Sequence, residues 1–288
     1  MRAVIAAIGA WIIYRLIWLF GRTHRRADVA WLAGPVGGPR IGDATYQEVA
    51  DAEGLAIERD ASSGLVPSWS QLDGDGFDGA RAAAAVRDFY EHTSDYAMDV
   101  WSKTYFPANL ALALLVTTIS RQVNQLEFPL SPLDTARGIH SEIISLREPD
   151  GRVKYTGWFR TLAAAGARRV LYTGFYMTER VPGERAPCVK VVFPMPSGSA
   201  TVVLRPAIDE TGALVLDSSG GRFGGAGFYR VQARDAGRVR VWMIRTLKEH
   251  FRVYVDGEGV LRCDHAIRFL GLPVLRLHYK MTRVSSPR

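Results

Sequence analysis

The stretch "LRCDHAIRF" (261–269) sets three reactive side chains in a row: Cys263, Asp264 and His265. A thiol, a carboxylate and an imidazole are the parts of an activated nucleophile. On a β-strand, however, a period of two separates them. Leu261, Cys263, His265, Ile267 and Phe269 then share one face, and Arg262, Asp264, Ala266 and Arg268 share the other. Asp264 cannot orient His265 in that arrangement, so a sequential triad is excluded. Asp264 is expected to pair with arginines on the outer surface. What remains is one inward His265 beside an inert thiol, on a face that is either packed core or the wall of a ligand cavity.

Other groups could take part in chemistry. "GIHSEIISL" places His140 and Glu142 on one strand face, either as an acid–base pair or as a polar pair at a sheet edge. Arg205 stands in the apolar strand "TVVLRPA", either exposed at its end or aimed at an anionic headgroup or carboxylate. Among the many strand aromatics, Tyr155, Trp158 and Tyr176 are candidates to line a cavity with His265 and Arg205. The stronger catalytic signatures are missing: there is no GxSxG, HExxH, P-loop or dinucleotide fingerprint. "DGDGFDG" (73–79) departs from a calcium loop at Phe77 and Ala84, and reads as a turn in which Asp78 caps the next helix. "SSGGRFGGAG" (218–227) has no following helix or Lys-Ser/Thr pair to hold phosphate, and is expected to be a mobile loop at a barrel mouth. Cys188 and Cys263 are the two cysteines, with no CxxC and no zinc spacing, so no metal or other cofactor is expected.

The elements that must position these groups fall into three parts. Residues 1–26 hold the apolar run "AVIAAIGAWIIYRLIWLF" and the basic flank "GRTHRR". Trp11, Arg15, Trp18 and Arg22 form one helical stripe of the kind that settles at lipid headgroups. The run predicts a short tilted span or an interfacial helix, with the folded domain on the cytoplasmic side. Residues 27–76 read as a Gly/Pro-rich linker with a short helix near Asp43, burying Tyr46, Val49 and Ala50 and stopping at Gly54. Residues 77–288 begin with a helix burying Val86, Phe89 and Tyr90, then the strand "DYAMDVW". A buried or membrane-pressed helix is expected over 106–120. Beyond residue 138 strand follows strand, with 237–249 ambiguous between strand and helix. The expected fold is α+β, mainly β: a long antiparallel meander curled into a barrel or half-barrel.

The net charge of +7 is uneven: +4 over 1–30, −10 over 31–150 and +13 over 151–288. The arginines are scattered along strands rather than clustered, which fits a solvated sheet face and not a nucleic-acid surface. The order of "VRDFYEHTSDYAMDVW", "LEFPLSPLDT", "YTGWFR" and "LGLPVLRLHYKM" resembles an uncharacterised bacterial family of β-rich domains, some fused to proteins similar to saccharopine dehydrogenase. The resemblance covers spaced fragments within 80–281, leaves out the N-terminal apolar run, and implies no catalytic residues. The expected function is a membrane-attached β-module that holds an apolar ligand of the lipid, quinone or isoprenoid class. Two alternatives stand beside it: a cyclase or hydrolase using His265, His140 and Glu142, and a membrane-tethered interaction domain without a ligand. The expected partners are the bilayer and an apolar small molecule.

Overall fold

The computed structural model describes residues 15–38, 41–59, 62–107, 139–164 and 167–284. In chain order the strands are β1 (Arg22–Arg25), β2 (Ala56–Glu58), β3 (Tyr96–Thr104), β4 (Ile139–Arg147), β5 (Val153–Ala164), β6 (Ala167–Glu179) and β7 (Cys188–Met195). They continue with β8 (Gly198–Ile208), β9 (Leu214–Asp217), β10 (Gly227–Ala233), β11 (Arg238–Met243), β12 (Leu247–Val255), β13 (Leu261–Phe269) and β14 (Leu272–Arg283). Among the described residues two complete α-helices accompany them, α1 (Ala44–Glu53) and α2 (Ala84–Glu91).

The described strands form one large antiparallel sheet in the order β2-β4-β5-β6-β7-β8-β9-β12-β13-β14-β3, with β10, β11 and β1 as a branch from β8. Most neighbours are consecutive in sequence because short Gly- and Asp-bearing turns join them. The sheet is not closed into a barrel. Its end strands β2 and β3 do not pair, and β8 divides its partners, with Gly198–Val203 on β10 and Arg205–Ile208 on β9. That fork sends three strands into a side branch instead of completing a ring. The sheet nevertheless bends strongly, since Arg160 on β5 and the Tyr279 ring on β14 lie 5.3 Å apart although many strands separate them along the ladder.

Alternation sorts each strand onto two faces. The inner face carries the main core, where Trp158, Val191, Val202, Leu216, Val253, Cys263 and Leu277 meet Val86, Phe89 and Tyr90 of α2. The outer face carries two smaller clusters. Under α1, Tyr46 packs on Phe159 and Phe175, and the helix ends as expected at Gly54, whose φ of 65° suits glycine. Gly157 makes this approach possible: a Cβ there would lie 2.3 Å from Tyr46 Cε1. The second cluster packs the 3-10 turn Ala27–Leu32 against β8, β10 and β11. Lys190 fastens that turn. Its buried Nζ donates to Trp31 O at 3.0 Å, Ala33 O at 2.9 Å and Glu179 Oε2 at 2.6 Å.

Several expectations change. Residues 238–243 are strand rather than helix, because β10 and β1 flank them and Val239 and Val241 enter the outer core. The segment 218–227 is tied to the outer face and does not flank a barrel mouth: Phe223 stacks on His24 and sits edge-on to Trp31, and Gly183 N donates to Gly224 O. β1 and β2 come from segments read as preceding the β domain, yet both join its sheet. Asp78 caps the 3-10 turn Gly79–Arg81 just ahead of α2, and β3 forms where "DYAMDVW" predicts a strand.

An N-terminal hydrophobic helix over residues 3–20 is not shown. Residues 1–14, with Trp11, lie outside the described part, as does most of the helix expected over 106–120. The described 15–20 are helical, and no helix among the described residues is long and apolar enough to cross a membrane. Ile17 is buried, and Arg240 Nε donates to its carbonyl at 2.9 Å. Trp18 and Arg15 are exposed, and Arg22 lies in β1 opposite Val241.

Candidate functional site

β13 alternates as its sequence dictates: Cys263, His265 and Ile267 are buried on the inner face, while Asp264 is on the outer face. Asp264 accepts from His278 Nδ1 at 2.9 Å and lies 3.4 Å from Arg276 Nη2. Desolvation works against its charge, but these two partners outweigh it and lower its pKa. His265 stacks on Phe251 with centroids 3.8 Å apart. Its Nε2 has no hydrogen-bond partner, and Glu249 Oε1 lies 3.7 Å away, beyond a hydrogen bond. Both cysteines are free and buried. Burial pushes the Cys188 thiol up to about 12 and raises that of Cys263 further, so neither is a nucleophile at neutral pH.

The inner face also holds a group that the strand pattern hid. Arg160 is 3% exposed, and no carboxylate among the described residues pairs with it. Its guanidinium lies over three rings, at 5.0 Å from Trp158, 5.6 Å from Tyr172 and 5.3 Å from Tyr279. Nε and Nη2 have no hydrogen-bond partner. Desolvation disfavours the charge, but the facing Tyr172 and Tyr279 phenols offset it and raise the pKa, so the group stays cationic. A register shift opposite Arg160 and Thr161, where Leu171 is passed over between Tyr172 and Val170, marks a bulge in the facing strand β6. Trp158 is fixed by its Nε1 donating to Ser141 Oγ at 2.5 Å.

Around this cation the surface is aromatic and incompletely filled. Tyr172, Tyr176, Phe193 and Phe251 pack against the main core yet remain partly accessible. Burial raises the pKa of the Tyr172 and Tyr176 hydroxyls, so both phenols are deep although their rings are not sealed.

The residues singled out from the sequence divide between the two faces. Trp158, Tyr176 and His265 are on the inner face with Arg160. Tyr155 is on the outer face under α1, its hydroxyl donating to Glu53 at 3.0 Å. Arg205 is half-exposed and 3.6 Å from Glu184. His140 and Glu142 share the outer face of β4, where Glu142 accepts from Arg59 at 2.9 Å. His140 and Glu142 therefore do not meet His265, and the three acid–base candidates have no common pocket. Among the described residues no three His, Cys, Asp or Glu side chains are placed to hold a metal ion.

Arg160 and Tyr279 escaped the sequence reading. The signal was present in "TGWFRTL": Trp158 and Arg160 share parity, so an inward Trp implies an inward Arg. No family model matches the chain, and no curated protein or solved structure matches it. The site's chemistry must therefore be argued from its own geometry.

Proposed function

We propose that this chain is a membrane-attached module whose sheet, curled as a half-barrel, holds an apolar ligand with an acidic head, such as a long-chain fatty acid or an isoprenoid acid. The carrying observation is Arg160, buried with no carboxylate partner among the described residues and with Nε and Nη2 lacking acceptors. A guanidinium without a counter-charge in a desolvated site is costly, and a bound carboxylate or phosphate would supply both the charge and the missing acceptors. The half-accessible aromatics beside it offer a surface for the apolar body. A ligand chain would lie along these partly accessible rings, and the apolar N-terminal run would keep the module where such ligands reside.

The acid–base alternative loses support because its residues are distributed over both faces. Native mass spectrometry of the chain purified from its own host tests the reading. The expected result is a retained mass of one amphipathic acid per protein. Repeated recovery of ligand-free protein under conditions that preserve lipid complexes would favour a tethered interaction domain.

A further inference from the structure

We propose that the strand rim carrying the β13–β14 turn docks the folded domain onto an anionic lipid bilayer. The turn presents Phe269, Leu270 and Leu272 at 46%, 67% and 60% exposure, and Phe106 beside them is 81% exposed. Phe106 belongs to this rim because Tyr105 N donates to Val274 O, continuing the β14–β3 ladder. Single exposed apolar residues are ordinary, but a cluster at one rim marks an interaction surface. Leu270 also adopts φ 53°, ahead of Gly271 at φ 82°. A turn of that shape favours Asn, Asp or Gly, so Leu occupies the position against local preference.

The exposed charges nearest the rim are mainly cations. Lys248 faces Arg268 across β12 and β13, and Lys103 faces Arg276 across β3 and β14. Like charges directly opposite each other destabilise a sheet. Lys248 and Arg268 are exposed and make no ion pair among the described residues. Arg268, and Arg276 with its partner Asp264, line a hollow of about 300 Å³ with Tyr105, Pro273 and Leu275, directly behind the apolar tip. Apolar side chains at the edge, with the exposed cations Lys248 and Arg268 behind them, match the layering of a bilayer with anionic headgroups.

The N-terminal run emerges at this same end. Phe20 stacks on Trp242, with centroids 5.7 Å apart, and Trp18 and Leu19 are exposed. β11 then passes through 244–246 into Leu247, the cross-strand partner of Phe269. The docking rim and the described residues 15–20 of the apolar run therefore lie at one end of the sheet. This surface is independent of the Arg160 site.

The test uses the full chain reconstituted into vesicles, with an environment-sensitive dye on Leu270→Cys. A matched dye on Glu258→Cys, in the turn at the opposite end of the β12–β13 hairpin, is the control. In vesicles of equal phosphatidylglycerol and phosphatidylcholine, the Leu270 dye should shift to the blue and be quenched by lipid-borne quenchers. The Glu258 dye should remain in water. Replacing both Lys248 and Arg268 with Ala should weaken the docked state about tenfold or more, from the worth of each cation near an anionic surface. In the unlabelled chain, amides of residues 269–272 should exchange more slowly in anionic than in phosphatidylcholine vesicles. Equal exposure of both dyes in anionic vesicles, unchanged amide exchange, or indifference to the charge removal would overturn the proposal. None of these outcomes depends on whether a ligand occupies the Arg160 site.

Discussion

Replacing Arg160 with Met should stabilise the ligand-free protein while removing its affinity for an acidic ligand. Cation–π contacts supply roughly 0.5–2 kcal/mol each. The desolvation penalty of a buried ion is several kcal/mol, and exchanging such a charge for an apolar side chain of similar length is often stabilising by about 1–4 kcal/mol. The lack of a carboxylate partner among the described residues and the unmatched Nε and Nη2 put Arg160 in that regime. Ligand binding should move the other way. A charge-assisted hydrogen bond contributes roughly 1.5–3 kcal/mol, so affinity should fall by about one to two orders of magnitude. Denaturant unfolding and calorimetric titration of the same preparation measure both effects. A guanidinium that merely braces the core would give the reverse pattern: a destabilised Met variant whose ligand binding changes only as its folded fraction does.

The second large effect is expected at Lys190. Its Nζ satisfies two carbonyls and the Glu179 carboxylate in a site that is nearly closed to water. Burial lowers its pKa, and Glu179 works against that shift. Lys190→Met leaves the carbonyls of Trp31 and Ala33 without this donor and Glu179 without its counter-charge. Breaking a buried pair in this way costs about 3–5 kcal/mol. The loss should be local before it is global: the turn Ala27–Leu32 should become protease-sensitive at denaturant concentrations that leave β12–β14 folded. Adding Glu179→Leu should recover part of the loss by removing the stranded carboxylate. Uniform weakening of the whole sheet, with no early exposure of 27–32, would show that Lys190 is not the fastener of that segment.

These two residues also show what the sequence can and cannot reveal. Period-2 alternation separates Cys263 and His265 from Asp264, and the structure agrees because each strand has one face against a core. Helical spacing, with a period of about 3.6, places α1 and α2 through their buried apolar residues. Closure is different: it depends on whether the first and last strands meet, and β8 forks through pairings that no local pattern encodes. The ambiguity at 237–249 was resolved by partners on both sides of β11, again non-local. Arg160 and Lys190 both stand in strands whose cations could equally have faced water. Burial of Arg160 follows from its parity with the inward Trp158 and from the bend that brings Tyr279 across the interior. For Lys190 it follows from a 3-10 turn that is remote in sequence. Arg205 looked the more isolated cation in sequence, but Glu184 meets it at the surface.

Calorimetric titration of the delipidated wild-type chain with hexadecanoate and with hexadecanol tests the central claim most directly. The two ligands share an apolar chain and differ in the charge at its head. Removing that charge removes the partner of Arg160 at a cost of roughly 1.5–3 kcal/mol. Hexadecanoate should therefore bind at one site at least about tenfold more tightly than hexadecanol. Equal affinity for the two, or binding of neither, would contradict a site built around Arg160 for an acidic head.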